Sequence, residues 1–262
     1  MVCKSQRELE GFFGSPEDNP PKWLVVIRAY LDESGQHERD YVFIAGHIGY
    51  ESQWQHFVPA WNTALGTQRK RLHMQTLRWS SNSTEKLLGR LGNIPAECGL
   101  KRLIGGVRVA DYEDLIPGPL AQKTITGYAC ALLAIGVTLM LGSIPDSERY
   151  EIILEQQDRY SVQGHFVFDT LTKDPNPLFR NKNGQLKIAK WSYAPSESTM
   201  LFDQADYLCY ALAQKHKTPD SRKARWCAPI LESSADTIGR IMTRDEIREA
   251  VMHEPYPGSN KV

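Results

Sequence analysis

Apolar and polar positions along the chain alternate between two kinds of spacing. WLVVIRAYLD (23–32) and YVFIAGHIGY (41–50) are short, β-branched and almost uncharged, which predicts two strands. The polar link DESGQHERD between them predicts a hairpin loop. ESQWQHFVPAWNTAL switches to helical spacing, with Trp54, Phe57, Trp61 and Leu65 on one stripe, and Pro59 is expected to bend or split that helix. SNSTEKLLGRLGNI predicts a second helix capped by Ser81 or Asn82. LKRLIGGVRVADY (100–112) predicts a third strand, and the uncharged stretch from about 122 to 142 a long helix.

YEIILEQ (150–156) reads as a strand ending at Glu155, SVQGHFVFDTLTK as a helix, and QLKIAKWSYA (185–194) as a strand. SESTMLFDQADYLCYALAQKH (196–216) has the stripe Leu201, Ala205, Leu208, Leu212 and a cap at Ser196 or Ser198. RKARWCAPIL reads as a short extended piece. Thr243 and Glu246 form a capping box that starts a final helix over 243–252. Residues 1–21, ending in GSPEDNPP, read as a loose arm, 22–252 as one domain and 253–262 as a tail. The order predicts an α/β fold: a mixed sheet, antiparallel across its first three strands, flanked by helices, with a helical insertion at about 51–98. Ribonuclease H-like domains have this element order.

Composition changes this picture little. The 262 residues contain 31 Lys+Arg and 31 Asp+Glu, so only local patches can attract a polyanion. Five cysteines with no CxxC pair argue against a disulfide framework or zinc ribbon and for a reducing, cytoplasmic setting. The first residues hold no long apolar run of the signal-peptide kind. ITGYACALLAIGVTLMLGSI (125–144) is long enough to span a bilayer, but its alanines, glycines and hydroxyls equally suit a helix packed on a sheet, and no membrane partner is expected.

The acidic residues carry the candidate chemistry. Asp32 and Glu33 end the first strand, Glu155 ends the fourth, and Asp203 and Asp206 open the late helix. In a ribonuclease H-like sheet these three places meet. Mg2+ and Mn2+ want oxygen ligands, and a pair of such ions about 3.5–4 Å apart can stabilise the attacking and leaving oxygens of a phosphodiester. Each residue also has a plainer reading. DESG is a good turn sequence, Glu155 suits a solvated strand end, and Asp203 suits a helix N-terminus. Asp206, at the margin of the apolar stripe, needs a partner or a function. His73 could move a proton. The basic segments 68–73, 179–190 and 215–225, with Trp79, Trp191 and Trp226 nearby, could meet phosphates and stack bases. Arg69, Lys70, Arg71, Lys187 and Lys190 are the nucleic-acid candidates.

YLDESG followed by YVFIAGHI, then RLHMQTL, TGYACALL and FDQADYLCYAL, resembles the bacterial family named domain of unknown function 3800, over roughly residues 27–215. The resemblance implies a ribonuclease H-like fold and a site at Asp32, Glu33, Glu155 and Asp206. The ribonuclease H-like fold so implied suggests a divalent-metal-dependent nuclease using Mg2+ or Mn2+; beside that site, Asp203, three residues before Asp206, could share its ion, and His73 could serve as the proton carrier. Defence against mobile elements is the matching biological role. A non-catalytic module binding nucleic acid or a partner protein is the alternative. Two positions depart from the family pattern: Asp203 stands where Gln is frequent, and Arg71 where an acidic residue is common.

Overall fold

The computed structural model describes residues 25–34, 40–67, 69–112, 115, 120–156, 161–195 and 199–253. The expected arm at 1–21, the hairpin loop at 35–39, the caps Ser196 and Ser198 and the tail from 254 lie outside the described residues.

Six strands form one mixed sheet. They are β1 (Val25–Ser34), β2 (Tyr41–Tyr50), β3 (Lys101–Arg108), β4 (Glu148–Glu155), β5 (Ile188–Ala194) and β6 (Thr237–Met242), in the spatial order β5-β4-β1-β2-β3-β6. The β1–β2 and β2–β3 pairs are antiparallel; β1–β4, β4–β5 and β3–β6 are parallel. The antiparallel start and flanking helices agree with the sequence reading. β6 was missed because TIGRIM is short, glycine-broken and mostly exposed, so it lacks the apolar density that marks a buried strand.

One face carries α1 (Glu51–Leu65), α2 (Asn82–Glu97), α5 (Asp203–Lys217) and α6 (Arg222–Glu232) over a core that includes Tyr30, Phe43 and Ala45. The other carries α3 (Leu120–Leu141) and α4 (Ser161–Lys173) over Ile27, Ala29, Leu31 and Ile44. The uncharged stretch is therefore a helix lying on the sheet, with Tyr128, Ala131, Leu132 and Ile135 buried. No described helix is long and apolar enough to cross a membrane. Cys98, Cys130, Cys209 and Cys227 are free thiols.

Local chemistry explains the boundaries. Ser81 caps α2 by accepting from Ser83 N at 3.2 Å, and Thr243 and Glu246 form the expected capping box of α7 (Arg244–His253). Pro59 leaves α1 unbroken; it sits on the exposed face, where the carbonyl that loses its donor is not forced into the core. The late helix begins at Asp203 rather than 196, after a 3-10 turn capped by Thr199. The third strand stops at Arg108, and Val109–Tyr112 is a helical turn. RKARWCAPIL is helix α6, not an extended piece; Ser221 accepts from Ala224 N at 3.1 Å, and Ala224, Cys227 and Ile230 face inward at helical spacing.

Arg102 on β3 fixes the end of α6. Its buried guanidinium donates to the carbonyls of Ile230, Leu231, Ser233 and Ala235. These are the orphan acceptors of a helix C-terminus and of the turn into β6. Arg102→Met keeps the volume but strands these acceptors, and is expected to cost about 2–4 kcal/mol. Urea unfolding checks it: the midpoint should fall at constant slope, and an unchanged midpoint would refute the role.

Candidate functional site

Strand register sets the first contact. β1 and β4 run parallel with Leu31 opposite Leu154, so the next residues, Asp32 and Glu155, are neighbours at adjacent C-terminal strand ends. Side chains alternate along a strand. Tyr30 and Ile153 lie in the core beneath α5, so Asp32 and Glu155, two residues on, point to that face. α5 is pinned there by the Cys209 thiol, which donates to the Asp32 carbonyl at 3.1 Å. Asp206, one turn before Cys209, is thereby held over the strand ends.

Asp32 is 8% exposed, and its carboxyl is held well above the ordinary carboxylate range. Burial is the main cause; the charges of Glu33, Glu155 and Asp206 add to it, and a 2.8 Å bond from Glu33 N to Oδ1 opposes it. Burial also pushes Asp206 up, partly offset by bonds from Met74 N at 2.9 Å and His73 Nδ1 at 3.0 Å, with Glu155 acting the other way.

Asp203 and Asp206 together hold the segment 71–74. Arg71 Nε and Leu72 N, at 2.7 Å, donate to Asp203, while His73 and Met74 N donate to Asp206. Successive residues thus meet carboxylates one turn apart on α5. Asp203 is 1% exposed, and burial pushes it up to about 6 even with the Arg71 guanidinium and Leu72 N beside it. Both its oxygens are occupied, and its charge is not among those acting on Asp32. The expectation that it joins the metal set is replaced by a structural role. The two positions that departed from the family pattern, Arg71 and Asp203, pair with each other. Their spacing in sequence gave no hint of this, since the pair forms only after α5 docks.

Glu33 acts on Asp32 by its charge but lies on the opposite side of β1. Alternation sends it to the face of α3, where its charge acts on Tyr128 and Tyr193. Burial leads the rise of the Tyr128 phenol, with Tyr193 and then Glu33 adding to it.

The basic candidates divide. Arg69 and Lys70 are exposed; Arg71 is bound to Asp203. Lys187 donates to Met140 and Gly142 carbonyls at 2.8 Å, closing α3. It precedes β5, at the end of the sheet away from the carboxylates, because Tyr150 pairs with Ile188 while Glu155 pairs with Ala194. Lys190 pairs with Glu151 at 2.9 Å, and Glu151 also holds Arg28. Lys187 and Lys190 are thus framework residues. Trp191 and Trp226 are buried, so neither offers a free ring to a base.

The sequence reading missed a buried polar chain beneath the site. Gln204 Oε1 accepts from His47 Nδ1, and its Nε2 donates to Leu201 O at 2.7 Å and Tyr30 O at 3.2 Å. Burial holds His47 near 4, neutral at physiological pH. One signal was visible: a histidine inside the apolar strand YVFIAGHIGY requires a partner.

Among the described residues no group of three or more His, Cys, Asp or Glu side chains is arranged to hold a metal ion. Mg2+ characteristically uses one or two protein carboxylates and completes its shell with water and substrate phosphate. The all-carboxylate pair of Asp32 and Glu155, with Asp206 above it, fits that chemistry. In comparisons with known proteins, the chain matches no family model, no curated protein and no solved structure.

Proposed function

We propose that the protein is a ribonuclease H-like, divalent-metal-dependent nuclease, related to the domain of unknown function 3800 family and acting on DNA or RNA in the cytoplasm. One observation carries the reading: Asp32 is buried under the same-sign charges of Glu33, Glu155 and Asp206. A fold retains such an arrangement at a cost in stability, and a cation offsets that cost. The spatial run β3-β2-β1-β4-β5, antiparallel and then parallel, supports the fold part.

Asp32 and Glu155, with Asp206, would hold Mg2+ or Mn2+. The bound ion supplies an activated water and charge compensation for the phosphodiester oxygens. The chain's own contribution is positional. Asp206 fixes the exposed His73 ring through Nδ1; a neutral ring donating there leaves Nε2 free to accept a proton. Asp203 and Arg71 hold the backbone that carries His73.

The test uses labelled RNA, DNA and hybrid with Mg2+ or Mn2+. Wild type should cleave at least one substrate, Asp206→Asn and Glu155→Gln should lose 100-fold or more, and His73→Ala about 10- to 100-fold. Equal cleavage by all would sink the reading. The second reading, a non-catalytic binding module, is favoured by the occupied oxygens of Asp203 and by the lack, among the described residues, of a three-ligand group. Calorimetry that shows no Mg2+ or Mn2+ binding, with nucleic-acid binding retained, selects it.

A further inference from the structure

Asp206 and Tyr210 are four residues apart on α5 and share a face. Tyr210 stacks on Trp79, with centroids 5.3 Å apart and planes at 11°, and Trp79 lies 6.2 Å from Trp226. Lys223 Nζ sits 5.4 Å from the Trp79 ring centroid, and the Arg222 guanidinium 5.7 Å from that of Trp226. A rim of aromatic rings and cations therefore begins one helical turn, about 6 Å, from the carboxylate site. Arg78 and Arg225 are exposed beside it.

The charge is concentrated here. Segments 69–90 and 215–225 contain eleven Lys and Arg but only two acids, Glu85 and Asp220, in a chain of zero net charge. They are far apart in sequence, and packing of α2 on α6 and α6 on α5 joins them; Gly92 of α2 meets Pro229 and Ile230 directly. An ordinary solvated face mixes both signs. Among the described residues Arg222 and Lys223 pair with no carboxylate and lie over rings instead.

We infer that the rim formed by Arg78, Trp79, Tyr210, Arg222, Lys223 and Arg225 binds the phosphate backbone of a nucleic acid, leading it to the carboxylates. Cations meet phosphates without reading sequence, and the stacked rings beneath them position those cations. The inference rests on the reading that the carboxylate site acts on nucleic acid.

The test is anisotropy of labelled 15-nucleotide DNA and RNA with the full chain in EDTA, so that binding is read without cleavage. The triple variant Arg78→Gln, Arg222→Gln, Lys223→Gln is compared with a charge-matched control, Lys101→Gln, Lys173→Gln, Lys182→Gln, whose lysines are exposed elsewhere. Matching melting temperatures establish that both are folded. The rim variant should weaken binding at least 10-fold and lower the slope of log K against log salt by about 2, at roughly 0.7 per lost phosphate contact; the control should change affinity less than 2-fold. Equal losses in both variants, no oligonucleotide binding by wild type at 50 mM salt, or tighter binding of a polyglutamate peptide would overturn the inference. Binding confined to the rim without any cleavage in Mg2+ or Mn2+ would instead sink the nuclease reading and leave the surface standing.

Discussion

Asp32→Asn is expected to raise the melting temperature of the metal-free protein at pH 7 while abolishing cleavage. The folded pKa of Asp32 lies above its unfolded value. Between those values the native state binds more protons than the unfolded chain, so wild-type stability falls as pH rises through this window. Asn keeps the shape and cannot ionise. The advantage of the variant should therefore be absent below about pH 4, near the unfolded carboxylate value, and grow as pH rises. A gain of about 2 kcal/mol matches relief of a buried, poorly compensated charge; it corresponds to about 4–8 °C for a chain of this size. Mg2+ or Mn2+ should reverse the order by stabilising wild type alone. Differential scanning fluorimetry in EDTA and in Mn2+ at pH 4, 6 and 8 reads all three arms. A variant less stable than wild type at pH 8 in EDTA would mean that Asp32 is a structural carboxylate, compensated by neighbours and not waiting for a cation.

Gly46→Ala should be a strongly destabilising single-methyl change. Gly46 lies opposite Leu31 in the β1–β2 ladder. A Cβ there would stand 1.9 Å from the Tyr30 carbonyl oxygen and 3.1 Å from Leu31 Cα. Both are backbone atoms of the central strand, so no side chain can move aside, and β1 must separate from β2 next to Asp32. About 3–5 kcal/mol is expected. Gly89, in α2, meets nothing within 4 Å when given a Cβ, so Gly89→Ala should stabilise by up to about 1 kcal/mol through helix propensity. Urea unfolding of the two variants measures the contrast; a tolerated Gly46→Ala would show that β2 can shift relative to β1.

The AG step in YVFIAGHIGY was visible in the sequence as a small-residue pair, but its reason was not. Only the sheet register shows which of the two residues faces a carbonyl. The same holds for the candidate site. Asp32 and Glu155 were legible because each ends an apolar run, and a strand end is a place that local pattern identifies. Asp206 was legible because a carboxylate at the margin of an apolar stripe demands an account. Asp203 was not: three residues away and chemically identical, it binds Arg71 and Leu72 N rather than facing Asp32. Lys187 and Lys190 failed for a related reason. Lysines in a basic run look alike until the sheet places one at a helix end and the other against Glu151.

The sequence by itself determined the first five strands and most of the helices, the strand-first order, the cap at Thr243 and the strand-end carboxylates, because each follows from spacing within a few residues. Tertiary structure decided which face each charge occupies, that segment 71–74 is held by α5, that TIGRIM joins β3, and that two remote basic segments share one rim. Those outcomes depend on pairing between residues far apart along the chain. Register and docking set such pairing, and no local pattern encodes either.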